Sequence, residues 1–283
     1  MNSQNTVPLE ELVTRAQQGD RGALERVVEE VQQKLYQLAL RMLWHAEDAR
    51  DATQEILVRV ITHLGSFRGE SSFMTWAYRV AANYLASARK SRLEEQNYTF
   101  QRFGEELAEG LNEPQTRPEI EESLLREEIR IGCTLGMLLC LDRPYRLAYI
   151  VGDILELDQY EASVVLEVKP ATFRKRLSRA RADLVAFTRA HCGIVNPGNV
   201  CRCRKRIDHA LQSGRVKPQN LRFAQDLNSP HQFDDVIAEI AKLEESRQLV
   251  ALYRAQPEFR SSDNFVQSVQ GLIDMPAGTL ESE

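Results

Sequence analysis

Apolar side chains recur at three- and four-residue steps along most of this 283-residue chain, and no stretch shows the strict alternation of a half-buried strand. Only helix packed on helix buries such stripes, so an all-α fold is expected. Leu12, Ala16, Leu24, Val27, Val31, Leu35, Leu38 and Met42 mark the first two helices, which Gly19-Asp20 separates. A third helix is expected from about Ala46 to Leu64, with Ile56, Leu57, Val60 and Ile61 inside and Asp51, Gln54, Glu55 and Arg59 outside. The break Gly65 to Ser72 ends in a serine placed to cap a helix from Phe73 to Arg92. Residues 96–118 mix Gly104, Gly110, Pro114 and Pro118 with glutamates, the composition of an acidic linker. A second helical domain is expected over 119–190. An extension over 191–283 begins with a turn-rich stretch and continues in amphipathic helices near Asp234 to Arg254 and Ser262 to Ile273. The first domain spans 8–95. No apolar run approaches the ~20 residues of a membrane span, and the N-terminus lacks the order of a signal peptide, so a cytoplasmic protein is expected.

The net charge of −5 argues against a nucleic-acid binder only as an average. Residues 1–95 carry −1, residues 96–128 carry −6, residues 129–215 carry +7 and residues 216–283 carry −5. Within the basic block Arg174, Lys175, Arg176, Arg179 and Arg181 fall in a stretch without an acid from Pro170 to Ala182. A solvated helix face normally mixes signs, and this one does not. From Asp158 to Leu184 the order is a short helix (Gln159 to Leu166), a turn and a longer helix opened by Pro170 in the favoured first-turn position. Phe173, Leu177, Ala180 and Leu184 then point inward, and Thr172, Arg174, Lys175, Ser178 and Arg179 point outward. That is helix-turn-helix spacing, with an outer face suited to base edges and phosphates in a major groove.

Two stretches carry a family resemblance. Leu157-Asp158-Gln159-Tyr160-Glu161-Ala162 with Thr172-Phe173-Arg174-Lys175-Arg176-Leu177-Ser178-Arg179-Ala180-Arg181 resembles region four of bacterial sigma factors of the extracytoplasmic-function group. Asp48-Ala49-Arg50-Asp51-Ala52-Thr53-Gln54-Glu55 and Phe67-Arg68-Gly69-Glu70-Ser71-Ser72-Phe73-Met74-Thr75-Trp76-Ala77-Tyr78-Arg79-Val80-Ala81-Ala82-Asn83 are similar to region two. The resemblance covers about residues 9–188 and departs from the family at Ser163, Glu167 and Ala171, the second of these standing where Gly is frequent.

The resemblance implies two helical DNA-binding domains, like sigma regions two and four, joined by the acidic linker. It implies an alternative sigma factor that binds core RNA polymerase and directs promoter recognition, promoter melting and transcription initiation. Asp51, Gln54 and Glu55 are then the residues that dock on the clamp helices of the polymerase largest subunit; a plain solvated face is the other reading. Phe67, Arg68, Ser71, Ser72, Trp76, Arg79 and Asn83 fall where the family melts the minus-ten element, with Arg89, Lys90 and Arg92 set for phosphates. For Trp76 core packing beside Phe73, Ala77 and Val80 is an equal reading. Thr172, Arg174, Lys175, Ser178 and Arg179 become the minus-thirty-five readers. The linker glutamates, Glu105, Glu106, Glu109, Glu113, Glu119, Glu121 and Glu122, either mimic nucleic-acid charge near the polymerase or form a solubilising tether.

The extension adds a cluster. Cys192, Cys201 and Cys203 with His209, or alternatively His191, supply four ligands of the kind that zinc takes. Arg202, Arg204, Lys205 and Arg206 beside them are expected to lower the thiol pKa values, which suits metal binding or oxidation; burial as small hydrophobes is the third reading. Cys133 and Cys140 read as core residues. The apolar stripes of the acidic tail (Phe233, Val236, Ile237, Ile240, Leu243, Val250; Phe265, Val266, Val269, Leu272) are expected to pack on the region-four-like domain and hide its basic helix, a restraint in cis. A separate anti-sigma factor is the other possible restraint. The alternative function is a stand-alone helix-turn-helix regulator with a metal- or redox-sensing tail. An enzyme is not expected, because the cluster lacks a general base and any His-Glu-x-x-His pattern.

Overall fold

The computed structural model describes residues 7–90, 92–95, 98–112, 121–224, 237–240, 242–261 and 263–275, and among these it holds helices and turns but no strand. Its contacts divide the chain into two compact units.

The first unit gathers α1 (Leu9–Gln17), α2 (Arg21–Leu43), α3 (Ala46–Thr62), α4 (Phe73–Ser87), α9 (Gln159–Val165) and a tail of two short helices, Phe265–Ser268 and Gln270–Ile273. Local chemistry sets the boundaries. Asp20 caps α2 by accepting the Ala23 N–H at 3.0 Å, and Arg15 closes on the same carboxylate. Ser72 caps α4 through the Thr75 N–H, as its sequence position suggests. Asp158 and Glu161 form a reciprocal capping box at the start of α9. α2 is the central helix, with Val27, Val28, Val31, Leu35, Leu38 and Met42 fully buried against α1, α3 and α4. Gln17 donates to the carbonyls of Leu64 and Phe67, both at 2.9 Å, and so fixes the start of the loop before α4. α4 ends at Ser87 rather than Arg92, because the chain turns to extended backbone at Ala88. α9 packs on α4, and Asn83 donates to the Glu167 carboxylate at 3.0 Å. Glu167 holds φ at +50°, the left-handed conformation that explains why a glycine suits this turn.

The second unit gathers α5 (Arg92–Glu95), α6 (Phe100–Ala108), α7 (Glu122–Leu139), α8 (Arg143–Tyr149), α10 (Pro170–His191), α11 (Ile207–Gln212) and the helix Glu245–Arg254. α7 is its spine. Arg146 of α8, 2% exposed, donates to the carbonyls of Leu138, Leu139 and Leu141 at and just past the end of α7, where the helix runs out of its own i+4 donors. Glu94 of α5 holds that guanidinium at 2.9 Å and Arg143 at 2.7 Å. The other faces of α7 hold the extension. Glu128 accepts three backbone N–H groups, from Arg222, Phe223 and Ala224. Arg130, paired to Glu127, donates to the Leu252 carbonyl, and Tyr253 donates its hydroxyl to the Thr134 carbonyl.

One expectation changes here. Residues 100–108 of the acidic stretch are a packed helix rather than a free tether: Phe103 is buried and stacks on Phe187 at 5.4 Å, while Glu106 pairs with Tyr98 and Arg215. Glu113 and Glu119 lie outside the described residues, as do Phe233 and Val236 and the segment around Asp234. Of the extension, the described residues up to Phe259 belong with α7 in the second unit, and the tail helices belong to the first.

Removing one partner of a buried ion network strands the others. Glu94→Ala removes the carboxylate from the buried Arg146 and the half-buried Arg143 and is expected to cost about 3 kcal/mol in urea unfolding. Glu94→Gln, which keeps the acceptor oxygen, is expected to lose less.

Candidate nucleic-acid interface and thiol cluster

α10 separates its two faces cleanly. Phe173, Leu177, Ala180 and Leu184 are buried, and Thr172, Arg174, Lys175, Ser178 and Arg179 are all exposed. The close seating has a local cause. A Cβ on Gly152 would fall 2.9 Å from the Phe173 ring and 3.1 Å from Leu177, so a larger residue here would have to push those side chains aside. Arg181, one of the basic run, does not belong to the outer face's chemistry, since its guanidinium closes on the buried carboxylate of Asp153 at 2.8 Å and 2.5 Å. Five outward residues over a fixed apolar stripe, with Arg179 also bonded to Asp183 at 3.0 Å, make a surface that a nucleic-acid groove can meet.

On the first unit Asp51, Gln54 and Glu55 share an exposed face of α3 whose other side, Ala52, Thr53, Ile56 and Leu57, is buried. Arg68, Ser72, Asn83, Arg89 and Lys90 are exposed, and Phe67, Ser71 and Arg79 are half-buried. Of the two readings of Trp76 the structure favours packing. It is 5% exposed and stacks on Phe73 at 5.4 Å, with Phe67 at 5.7 Å, so its ring supports the loop from below and is not presented to a base. Phe67 sits edge-on to Phe73 at 5.2 Å with part of its ring in solvent. The described side chains do not include Arg92. Arg59 lies over the Tyr84 ring at 5.1 Å, a pairing that helical spacing alone does not reveal.

The family described as Sigma-70 region 2 matches residues 27–93, which run from α2 through α4 into α5. A sigma-H factor of RNA polymerase from Pseudomonas aeruginosa is 30% identical over 175 residues, spanning 61% of this chain and 89% of that protein. The extracytoplasmic-function sigma-E factor of Escherichia coli K12 is 30% identical over 181 residues, spanning 60% of this chain and 88% of its own length. This chain is an extracytoplasmic-function sigma factor. Among solved structures, that of CnrH in complex with the cytosolic domain of CnrY is similar at 24% identity and a TM-score of 0.45, over 63% of this chain and 96% of that one.

The sigma factor's thiols are arranged differently from the sequence expectation. Cys192, Cys201 and Cys203 are joined by Cys133 of α7, near enough that ionising one opposes ionising the others. Neither histidine joins them. His209 lies against Gly110 among Arg206, Arg215, Glu106 and Glu109, and His191 packs on Phe187 at 4.6 Å and beside Gly104. The three-thiol and one-imidazole set therefore does not fit a zinc ion, and among the described residues no group of three or more His, Cys, Asp or Glu is arranged to hold a metal. The expected lowering of the thiol pKa values by neighbouring arginines is also overturned. Burial pushes Cys192 and Cys201 up, and pushes Cys203 to about 12, against which the arginines pull only weakly. Cys140, two turns beyond Cys133 at the end of α7, is likewise pushed to about 12 by burial. The spacing of Cys201 and Cys203 carried no signal for a partner seventy residues away on another helix.

Neutral buried thiols react slowly, because the thiolate is the nucleophile. At pH 8 a thiol of pKa near 12 is ionised about a thousandfold less than one of pKa near 9. In the native protein Cys140 and Cys203 are therefore expected to react with an aromatic disulfide reagent at least about a hundredfold more slowly than in denaturant, where all five cysteines should titrate rapidly.

Proposed function

We propose that this sigma factor binds core RNA polymerase through the exposed face of α3 and directs it to promoters that its two units read. Asp51, Gln54 and Glu55 form the polymerase contact, the domain over 8–95 melts the minus-ten element, and the helix-turn-helix within 119–190 reads the minus-thirty-five element. The observation that carries the reading is the exposed face of α10. Thr172, Arg174, Lys175, Ser178 and Arg179 stand outward together in a window without acids, over an apolar stripe that fixes their register. Arginine at such a position matches guanine edges bidentately, and lysine contributes a phosphate contact. In the minus-ten region Arg68, Ser71 and Ser72 line a loop held by Gln17 and Phe73, with Phe67 half-exposed at its edge. A half-exposed ring on a supported loop is suited to stacking against an extruded base. Arg79 and Asn83 continue that surface along α4, and Arg89 and Lys90 follow it with positive charge for the backbone.

The partners on this reading are core polymerase and promoter DNA. No residue is assigned a catalytic role, because the polymerase supplies the chemistry, and no cofactor is required. Among the described residues no helix is long and apolar enough to cross a membrane. Residues 191–259 act as structure in this scheme, since Glu128, Arg130 and Thr134 tie them to α7.

The test is in vitro transcription on a pool of genomic DNA fragments with purified core polymerase, alongside gel shift with and without the polymerase. Promoter-specific starts that need both proteins are the expected result, and tight duplex binding by the chain alone would sink the reading in favour of a stand-alone regulator. Arg174→Ala is expected to lower transcription from the mapped promoters about tenfold and to relax their minus-thirty-five preference, from about 1–3 kcal/mol per bidentate contact. Lys175→Ala is expected to weaken all templates alike and to reduce the salt dependence by about one counterion.

A further inference from the structure

The tail helices Phe265–Ser268 and Gln270–Ile273 lie along α2 and α3, within the first unit. Phe265 is 3% exposed, Val266 7%, Val269 1% and Ile273 2%. The Phe265 ring meets Tyr36 of α2 at 6.1 Å. Just before it the Asp263 carboxylate pairs with Arg50 of α3 at 3.4 Å, and Asn264 caps the first tail helix by accepting the Gln267 N–H at 3.2 Å. Four apolar side chains, an ion pair and a cap define a seated segment with its own boundary.

Its seat adjoins the proposed polymerase contact. Arg50 is next to Asp51 in sequence and one helical turn from Gln54, so Asp263 is anchored about 5–6 Å along the helix from that face. A helix docked over Asp51, Gln54 and Glu55 is about 10–12 Å wide with its side chains, more than the space left between these residues and the tail. Asp51, Gln54 and Glu55 are themselves exposed, so an approaching partner finds them open and meets the tail only as it settles. The partner that displaces the tail has to offer the same chemistry to the same seat, apolar side chains for the surface around Tyr36 and a carboxylate for Arg50.

We propose that residues 260–275 are a strap that occupies part of the polymerase-docking face of α2 and α3 and competes in cis with core RNA polymerase. The proposal rests on the assignment of that face given under the proposed function. The strap is a restraint of a different kind from charge masking, since it acts on the polymerase-binding unit and through apolar packing.

The experiment measures core polymerase binding by fluorescence anisotropy with the full-length chain, parent and variant. Phe265→Asp with Val269→Asp places two carboxylates where apolar side chains are buried and is expected to tighten binding about tenfold, within the usual range of coupling between competing sites. Asp263→Lys, a surface change opposite Arg50, is expected to tighten binding by a smaller factor. A peptide of residues 260–275 added to the double variant is expected to weaken binding again. Unchanged or weaker binding by both variants, with circular dichroism showing parent helicity, overturns the strap. If the double variant loses helicity, Asp263→Lys and the peptide decide the question by the same criteria. Failure of the parent and every variant to bind polymerase at all is a separate result, which overturns the sigma assignment of the α3 face and the strap with it.

Discussion

One buried guanidinium organises the larger unit. Arg146 reaches the carbonyls at the end of α7, adding donors beyond the Leu141 N–H that Leu138 already accepts, and Glu94 compensates its charge. Burial disfavours the charged form of Arg146, and the Glu94 carboxylate opposes that effect. With its end closed, α7 can sit in the middle of the unit and present buried polar groups along its length. Glu127, Glu128, Arg130 and Thr134 are all buried, and each is met by backbone or side chain from the extension or from α7 itself. A helix with that many interior polar atoms would be unstable alone, so the extension completes the unit and is not an appendage to it.

That arrangement decides what is left for nucleic acid. Several acids of the second unit are paired with basic residues off the outer face of α10, Asp153 with Arg181, Glu106 with Arg215, Glu122 with Arg204, and Glu156 with Arg254, while Asp183 pairs with the outward Arg179. The basic block is therefore neutralised selectively. Arg181 belongs to the same sequence run as Arg174 and Lys175 but lies on the side of α10 facing Asp153, so helical phase rather than composition separates the anchoring cation from the outward ones. A segment charge of +7 overstates the field that DNA would meet, and the five exposed residues of α10 are the better measure of it.

Most helices, the Ser72 cap and the inner face of α10 were legible because each follows from local rules: apolar residues three and four apart, a serine at a helix start, and Pro170 in a first turn. The family was legible for the same reason, since its motifs lie on such helices. What was not legible depends on partners far away in sequence. Cys133 joins Cys192, Cys201 and Cys203 only because the turn at Arg204–Arg206 packs on α7, and His209 is drawn to Gly110 by the same fold. The acidic residues around Glu106 read as linker because their composition is that of a linker. The aromatic contact of Phe103 with Phe187, more than eighty residues away, outweighs it.

The tail follows the same logic in the other unit. Exposed charges are screened over about 10 Å, whereas apolar side chains need a seat at any ionic strength, so the apolar stripe of the tail accounts for its place on α2 and α3. Burying a Phe, Val or Ile side chain contributes about 1.5–3 kcal/mol, and ordering each residue of a short segment costs about 1–2 kcal/mol. The burial of four apolar side chains is set against the ordering of the whole segment, so the net hold of the seat on α2 and α3 is far smaller than the burial term alone. A small margin is the condition for a competitor to work in both directions, since a strap held strongly would exclude the polymerase and one held weakly would never compete.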